Sequence, residues 1–216
     1  KVKNTKQDKY RQINKYVEII DGILKSVPLK PSYNVVDMGA GKGYLTFALY
    51  DYLTKTAKQN PNVIGVELRK ELVEKCNDIA EKAAFSNLNF QEGTIKESDL
   101  PDIDVLIALH ACDTATDDAI FRGIQSRSEV IVCAPCCHKQ IRKQINPEDD
   151  LSQITRFGIL KERQAEIVTD AIRALVLEAF GYKTKVFEFI STEHTPKNVL
   201  IVGVKQKEVD QPDPEI

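Results

Sequence analysis

The sequence predicts an α/β fold: a mostly parallel, doubly wound sheet of seven strands with helices on both faces and an antiparallel strand pair at its C-terminal end. Three observations carry this reading. Short apolar, β-branched runs alternate with segments of helical periodicity along most of the chain. Two of those runs, Asp104–Leu109 and Glu129–Ala134, are apolar without alternation, as strands buried on both faces are. The last two, Lys183–Ile190 and Asn198–Lys205, lie too close in sequence for a helical crossover and must pair antiparallel.

The elements follow in order. Ile13, Tyr16, Val17, Ile20 and Leu24 recur at helical spacing, so Asp8–Lys25 is an amphipathic helix, ended by Pro28 and Pro31. Asn34–Asp37 is the first strand. A glycine turn leads into a helix from Tyr44 to Lys58, and Asn60-Pro61-Asn62 reads as a turn. Val63–Glu67 is the second strand and Arg69–Phe85 a crossover helix with Leu72, Val73, Cys76, Ile79 and Ala83 inward; Leu88–Gln91 is the third strand. Helices Thr114–Ser126 and His138–Ile145 flank the strand at Glu129–Ala134, and a long helix, Ile159–Phe180, ends at Gly181.

The 216 residues accommodate one full α/β domain. Net charge is −2, so no global basic field announces nucleic acid. The distribution is uneven, however: Lys1, Lys3, Lys6, Lys9, Arg11 and Lys15 face Asp8 alone, and the tail after Lys207 is acidic with Pro212 and Pro214. The expected organisation is a basic amphipathic helix packed on the domain (1–30), the domain itself (31–205) and an acidic, disordered tail (206–216). No apolar run is long enough to span a membrane and no signal-peptide pattern is visible. Five cysteines, with Cys136 and Cys137 adjacent, make a poor disulfide framework and fit a reduced, cytoplasmic setting. A start at Lys1 rather than Met raises the expectation of an additional N-terminal region.

The stretch Val35-Val36-Asp37-Met38-Gly39-Ala40-Gly41-Lys42-Gly43 places three glycines between a strand and a helix N-terminus, where backbone can approach a ligand closely. Gly43 comes one residue too early for a dinucleotide fingerprint, and Gly41-Lys42 is followed by glycine rather than the hydroxyl a P-loop requires. Asp37 would repel a pyrophosphate and suits a ligand with a cationic end. Asp-x-Gly-x-Gly-x-Gly after a strand resembles motif I of class I S-adenosylmethionine-dependent methyltransferases; the bland alternative is a plain glycine-rich turn. The resemblance implies S-adenosyl-L-methionine as cofactor, held by Asp37, Gly39, Ala40, Gly41, Gly43, Tyr44 and Leu45.

Three further strand ends bear on the site, because ligands of doubly wound sheets sit at the carboxyl ends of the strands. Glu67, followed by Leu68, either accepts ribose hydroxyls or caps the next helix. Thr94 and Ile95, after Glu92-Gly93, fall where an adenine pocket is built. The fourth strand ends in Leu109-His110-Ala111-Cys112-Asp113-Thr114-Ala115-Thr116-Asp117; Leu109 reaches the cofactor, and His110 reads either as a general base oriented by Asp113 or as a wall of the pocket. Asp117 alternatively begins the following helix. The Asp/Asn-Pro-Pro-Tyr signature of amine and glutamine methylation is absent. The fifth strand ends in Cys133-Ala134-Pro135-Cys136-Cys137-His138-Lys139. Vicinal cysteines without a Cys-x₂-Cys pair chelate a tetrahedral ion poorly, so these residues are expected to be pocket walls, with no metal.

The fourth and fifth strand ends together resemble a methyltransferase domain family that includes bacterial methyltransferase-like proteins, eukaryotic ones and the tRNA acceptor-stem 2′-O-methyltransferases. The likeness runs from Lys9 to Lys205 and includes Lys9-Tyr10-Arg11-Gln12, Lys161-Glu162-Arg163 through Thr169-Asp170 to Arg173, and His194-Thr195-Pro196-Lys197-Asn198. Asp113 departs from it, standing where eukaryotic relatives have glycine. The resemblance implies a Rossmann-like class I fold and methyl transfer to RNA, tRNA included; the residues themselves place catalysis at His110 and Asp113. Substrate contacts would fall at Cys112, Thr116, Asp117, Pro135, Cys136, Cys137, His138, Lys139, Arg142, Thr195 and Asn198. Basic residues at Lys139, Arg142, Lys143, Arg163 and Arg173 agree with phosphate contacts, although Arg163, Glu166, Asp170 and Arg173 equally form a salt-bridged stripe. A protein acceptor, or S-adenosylmethionine binding without turnover, remains the alternative.

Overall fold

The structure, a computed structural model, describes residues 7–109, 111, 113–146, 151–189 and 198–216. Helix α1 (Gln7–Leu24) precedes β1 (Ser32–Met38), α2 (Tyr44–Asp51), β2 (Asn60–Glu67), α3 (Lys70–Lys82) and β3 (Leu88–Glu92). Then follow β4 (Val105–Ala108), α4 (Thr114–Gln125), β5 (Val130–Cys133), α5 (Lys139–Gln144), α6 (Leu151–Thr155), α7 (Gly158–Ala179), β6 (Tyr182–Glu188) and β7 (Val199–Lys205). The strands form one sheet in the order β3-β2-β1-β4-β5-β7-β6. Strands β1 to β5 pair parallel, and β7 runs antiparallel between β5 and β6. This is the predicted mostly parallel, seven-stranded arrangement.

Alternation along the strands explains the two layers of helices. Val35, Val63, Val105, Ile107, Val130 and Val132 turn to one face, where Ile20, Leu49, Leu53 and Cys76 of the helical layer meet them. Val36, Ile64, Leu106, Ala108 and Ile131 turn to the other, against Ala119, Ile120 and Leu177 of α4 and α7. Both faces are covered, which is why β4 and β5 are apolar at every position. On α3 the buried residues are Val73, Cys76 and Ala80, whereas Ile79 is 40% exposed and Ala83 is also exposed. The i, i+3, i+7 stripe, not the full apolar set expected from the sequence, faces the sheet.

Other expectations are corrected. Asn60–Asn62 opens β2 instead of forming a turn: Pro61 pairs with Tyr33, and β3 joins only at Val63, so the missing N–H falls where β2 has one neighbouring strand. Helix α2 runs on as a π-helical turn, Tyr52–Thr56, and stops short of Lys58, whose φ is +56°. Helix α6 carried no periodic signal. The C-terminal tail, expected to be disordered, lies against the domain. Gln206 and Lys207 donate backbone N–H groups to the Gly181 carbonyl, Asp213 donates to that of Ala179, and Arg127 pairs with Glu208 and Asp210. A Cβ at Gly181 would stand 2.5 Å from the Lys207 oxygen, so this close approach needs glycine. Among the described residues no helix is long and apolar enough to cross a membrane.

The order of strands reverses between β1 and β4, and the carboxyl ends of β1 to β5 meet on one edge. Because β7 is antiparallel, its start at Val199 and the end of β6 at Glu188 reach that same edge.

Candidate functional site

The glycine turn crosses the switch point, where such folds bind ligands. Gly39 and Ala40 both donate N–H to the Val66 carbonyl at 2.9 Å, and Gly43 closes the turn by donating to Ala40. Gly39, Gly41 and Gly43 all have positive φ (76°, 59° and 68°). Their roles differ. A Cβ at Gly43 would meet Phe90 at 2.9 Å, so that residue is glycine for packing at the start of α2. A Cβ at Gly41 would meet nothing nearer than 3.9 Å and would instead project between Glu67 and Arg69, so that residue keeps the cleft open.

Two carboxylates flank the turn. Asp37, next to last in β1, is buried and accepts a 2.6 Å hydrogen bond from the Thr46 hydroxyl. Burial pushes its pKa up to about 6, against the smaller opposing effect of that bond. Glu67, ending β2, accepts the Gly41 N–H at Oε2 (2.8 Å) and both the backbone N–H (3.1 Å) and Nε (2.8 Å) of Arg69 at Oε1. The Arg69 guanidinium holds the Glu67 carboxyl below its ordinary range. Sequence reasoning missed Arg69 as a partner, although it stands only two positions on.

A cleft of about 690 Å³ gathers Gly39, Gly41, Glu67, Leu68, Thr94 and Ile95, with Ala111 on its far wall. Thr94 also folds its own loop, accepting the Glu97 N–H at its hydroxyl and the Ser98 O–H at its carbonyl. A smaller recess of about 130 Å³ continues past the turn, lined by Asp37, Ala40, Tyr44, Leu45, Leu109 and, from α1, Tyr16. The structure thus gathers the residues expected at the cofactor, with Gly43 serving from behind.

The acceptor side is organised differently from expectation. His110, Cys112 and Thr195 lie outside the described residues. Asp113, at φ +55°, accepts the Gln140 N–H at Oδ1 (3.3 Å). Arg173, 3% exposed, donates to the Asp113 carbonyl (2.9 Å), Asp117 (2.7 Å) and Asp170 (3.3 Å), and Asp170 lies 3.0 Å from Nε2 of buried His138. Asp117 is therefore an ion-pair partner, and Arg173 is too buried to meet a phosphate. Thr116, expected to touch substrate, is fully buried and donates its hydroxyl to the Ala111 carbonyl, which fixes the loop after β4. Arg142 pairs with Glu162 and Arg163 with Glu166, so neither presents an uncompensated charge. Lys139 is exposed. Pro135, His138 and Asn198 line a third cavity, of about 740 Å³.

Cys136 and Cys137 are half-buried with their sulfurs 3.6 Å apart. Burial raises the Cys133 thiol to about 12, which leaves it inert. Among the described residues no group of three or more His, Cys, Asp or Glu side chains is disposed to hold a metal ion.

A glycine cradle at the switch point, acidic residues at the carboxyl ends of β1 and β2, and a terminal antiparallel strand inserted between β5 and β6 define the class I methyltransferase architecture. A methyltransferase-domain family matches residues 8–144, over half of the sequence, and the chain belongs to it. The human glutathione S-transferase C-terminal domain-containing protein is 24% identical over 221 residues, covering 91% of this chain and 33% of that protein. The chain thus spans about a third of the length of that curated relative. Among solved structures, a dimethyladenosine transferase from Plasmodium falciparum aligns with TM-score 0.52 at 18% identity, over 88% of this chain and 62% of its own. A geranyl diphosphate C-methyltransferase from Streptomyces coelicolor A3(2), solved with S-adenosyl-L-homocysteine, aligns with TM-score 0.57 at 12% identity, over 91% and 82%. At these identities the likeness is one of fold.

S-adenosyl-L-methionine is the cofactor, and the residues present fit it. Gly41 leaves the cleft open to it, Glu67 offers carboxylate lone pairs to a ribose, and Asp37 faces the recess where a cationic end is wanted.

Proposed function

We propose that this methyltransferase acts on an RNA acceptor. The observation that carries the reading is α5, which opens immediately after the β5 loop on the acceptor half of the carboxyl edge. It exposes Lys139 and Lys143, neither of which pairs with a described carboxylate. Just ahead of α7, the helix that packs on α5, Arg156 stacks at 4.7 Å over the half-exposed ring of Phe157. Cations that position a phosphate backbone, beside a planar surface for bases, are what a nucleic acid requires. A cytoplasmic setting belongs to the same proposal, supported by a cysteine pattern that makes a poor disulfide framework.

When bound, S-adenosyl-L-methionine would supply a methyl group activated by its sulfonium. The chain's own residues bind and orient. Glu67 in the cleft would hold the ribose, and Asp37 in the recess would answer the positive end. Incubation with labelled methyl donor and either total RNA or total protein tests this. Label in RNA is expected; label in protein alone, or in neither, overturns the RNA acceptor.

A further inference from the structure

A buried histidine on the same sheet edge does not line the cofactor cleft. His138, 2% exposed, places Nε2 3.0 Å from Asp170 Oδ1. A carboxylate only accepts, so the proton between them sits on Nε2, and whenever the ring is neutral its lone pair is on Nδ1. Among the described residues that Nδ1 is buried and has no hydrogen-bond partner. Native proteins keep few such atoms, because an unpaired buried polar group is costly, and a retained one calls for an explanation such as a ligand that completes it.

The setting suits a ligand. His138 lines the 740 Å³ cavity over β5, β7 and β6, together with Pro135, Glu188 and Asn198. The cofactor cleft opens on the other half of the same edge, and the two are linked. Gln140, two residues past His138, donates to Asp113, which lies two residues past Ala111 on the cleft wall. Asp170 is itself held by Arg173, which also grips Asp117 and the Asp113 carbonyl. Histidine held by a carboxylate, with its second nitrogen unpaired, is the arrangement of an oriented base.

We propose that this cavity receives the reacting group of the methyl acceptor, and that His138 takes the acceptor's proton at Nδ1 while Asp170 and Arg173 fix the ring. This deepens the methyl-transfer reading and rests on it. The acceptor is then a protic oxygen or nitrogen: its O–H or N–H bond breaks, the bonding electrons stay on the acceptor atom, and the proton ends on Nδ1, leaving an imidazolium that faces Asp170. Glu166 and Glu188 in the cavity wall, with Arg163 already paired to Glu166, disfavour a phosphate inside. Phosphates would stay outside, at α5. His138 is the catalytic residue; Asp170 and Arg173 are positioning residues.

The test uses the full chain and begins without turnover. Histidine side-chain ¹⁵N spectra, assigned with His138→Gln, are expected to show a neutral His138 protonated on Nε2. A ring protonated on Nδ1 overturns the proposal. Single-turnover transfer to total RNA and to total protein is then compared for wild type and His138→Gln, whose amide still donates toward Asp170 but has no basic lone pair. The expected result is a fall in kcat of roughly 10²–10⁴-fold, an unchanged Kd for S-adenosyl-L-homocysteine, and loss of the acidic limb of the pH–rate profile. Asp170→Asn should lose about tenfold in kcat with KM unchanged. The charged groups around the ring are Asp170, Arg173, Arg163 and Glu166 of α7 and Glu188 of β6, so Glu188→Gln serves as the control that must keep the limb. A His138→Gln protein with wild-type kcat, or with a lowered Tm but the acidic limb intact, makes the network structural and sinks the proposal. Failure of the RNA reading looks different: wild type then labels protein and not RNA, and His138→Gln abolishes that labelling instead.

Discussion

Asp37 and Glu67 are the same chemistry in two environments. Both are carboxylates at the carboxyl ends of adjacent strands, yet burial drives Asp37 up to about 6 while Arg69 holds Glu67 low. Because Asp37 titrates higher folded than unfolded, its contribution to stability is fully present below the unfolded carboxylate range and is lost as pH rises through about 6. The cofactor's cationic end reverses the preference, since it wants the charged form. S-adenosyl-L-homocysteine affinity is therefore expected to weaken as pH falls from 7.5 to 5.5, with proton release on binding near pH 6. Calorimetry in two buffers of different ionisation heat measures both, and Asp37→Asn should abolish the proton release. Glu67→Ala removes the acceptor shared by Gly41 and Arg69. It should weaken cofactor binding by roughly ten- to a hundredfold, the range of a hydrogen bond to a charged group. Arg69→Ala, at a largely exposed side chain, should weaken it far less. Equal losses for the two would remove Glu67 from the ribose site.

Among elements, the glycine turn separates packing from opening. Gly43→Ala puts a Cβ against Phe90 at φ +68° and should cost roughly 1–3 kcal/mol in a denaturant melt. Gly41→Ala meets no atom within 3.9 Å, so its stability loss should be the smaller while cofactor affinity falls more. If the two variants rank the other way in both measurements, the division of labour in the turn is wrong. The helices were legible to different degrees. The stripe at Ile13, Tyr16, Val17, Ile20 and Leu24 named α1 because its spacing alone fixes a face. That α1 also closes the recess over Asp37, with Tyr16 stacked on Phe189 at 4.3 Å, depended on a partner far along the chain. The tail reads as disordered from composition because its anchors, Arg127 and Gly181, lie elsewhere in sequence.

At the scale of the molecule, a net charge of −2 conceals a directional surface. Ion pairs cancel Arg142, Arg163 and Arg173, which leaves Lys139 and Lys143 displayed beside the acceptor half of the sheet edge. With an RNA acceptor, Lys139→Ala and Lys143→Ala should raise KM with little change in kcat, and each should flatten the slope of log K against log salt by about one. Arg142→Ala should do neither, because its charge is already spent on Glu162. Filter binding at several salt concentrations checks this, and an Arg142 effect as large as that of Lys139 would contradict the surface as described.

The sequence by itself determined the alternation of strands and helices, the antiparallel end of the sheet and the cofactor cradle. Each is written in residues that are neighbours along the chain: period-2 and period-3.6 spacing, and glycines at alternate positions after Asp37. Only the tertiary structure decided the acceptor side. Asp170 and Arg173 look on paper like an exposed charged stripe, three residues apart on one helix. Packing α7 against α4 and the β5 loop buries them and turns them toward Asp117, 56 residues away from Arg173, and toward His138, 32 away from Asp170. Which face of a helix meets the protein and which meets water is set by what lies opposite, and for polar residues paired across the fold no local spacing records it.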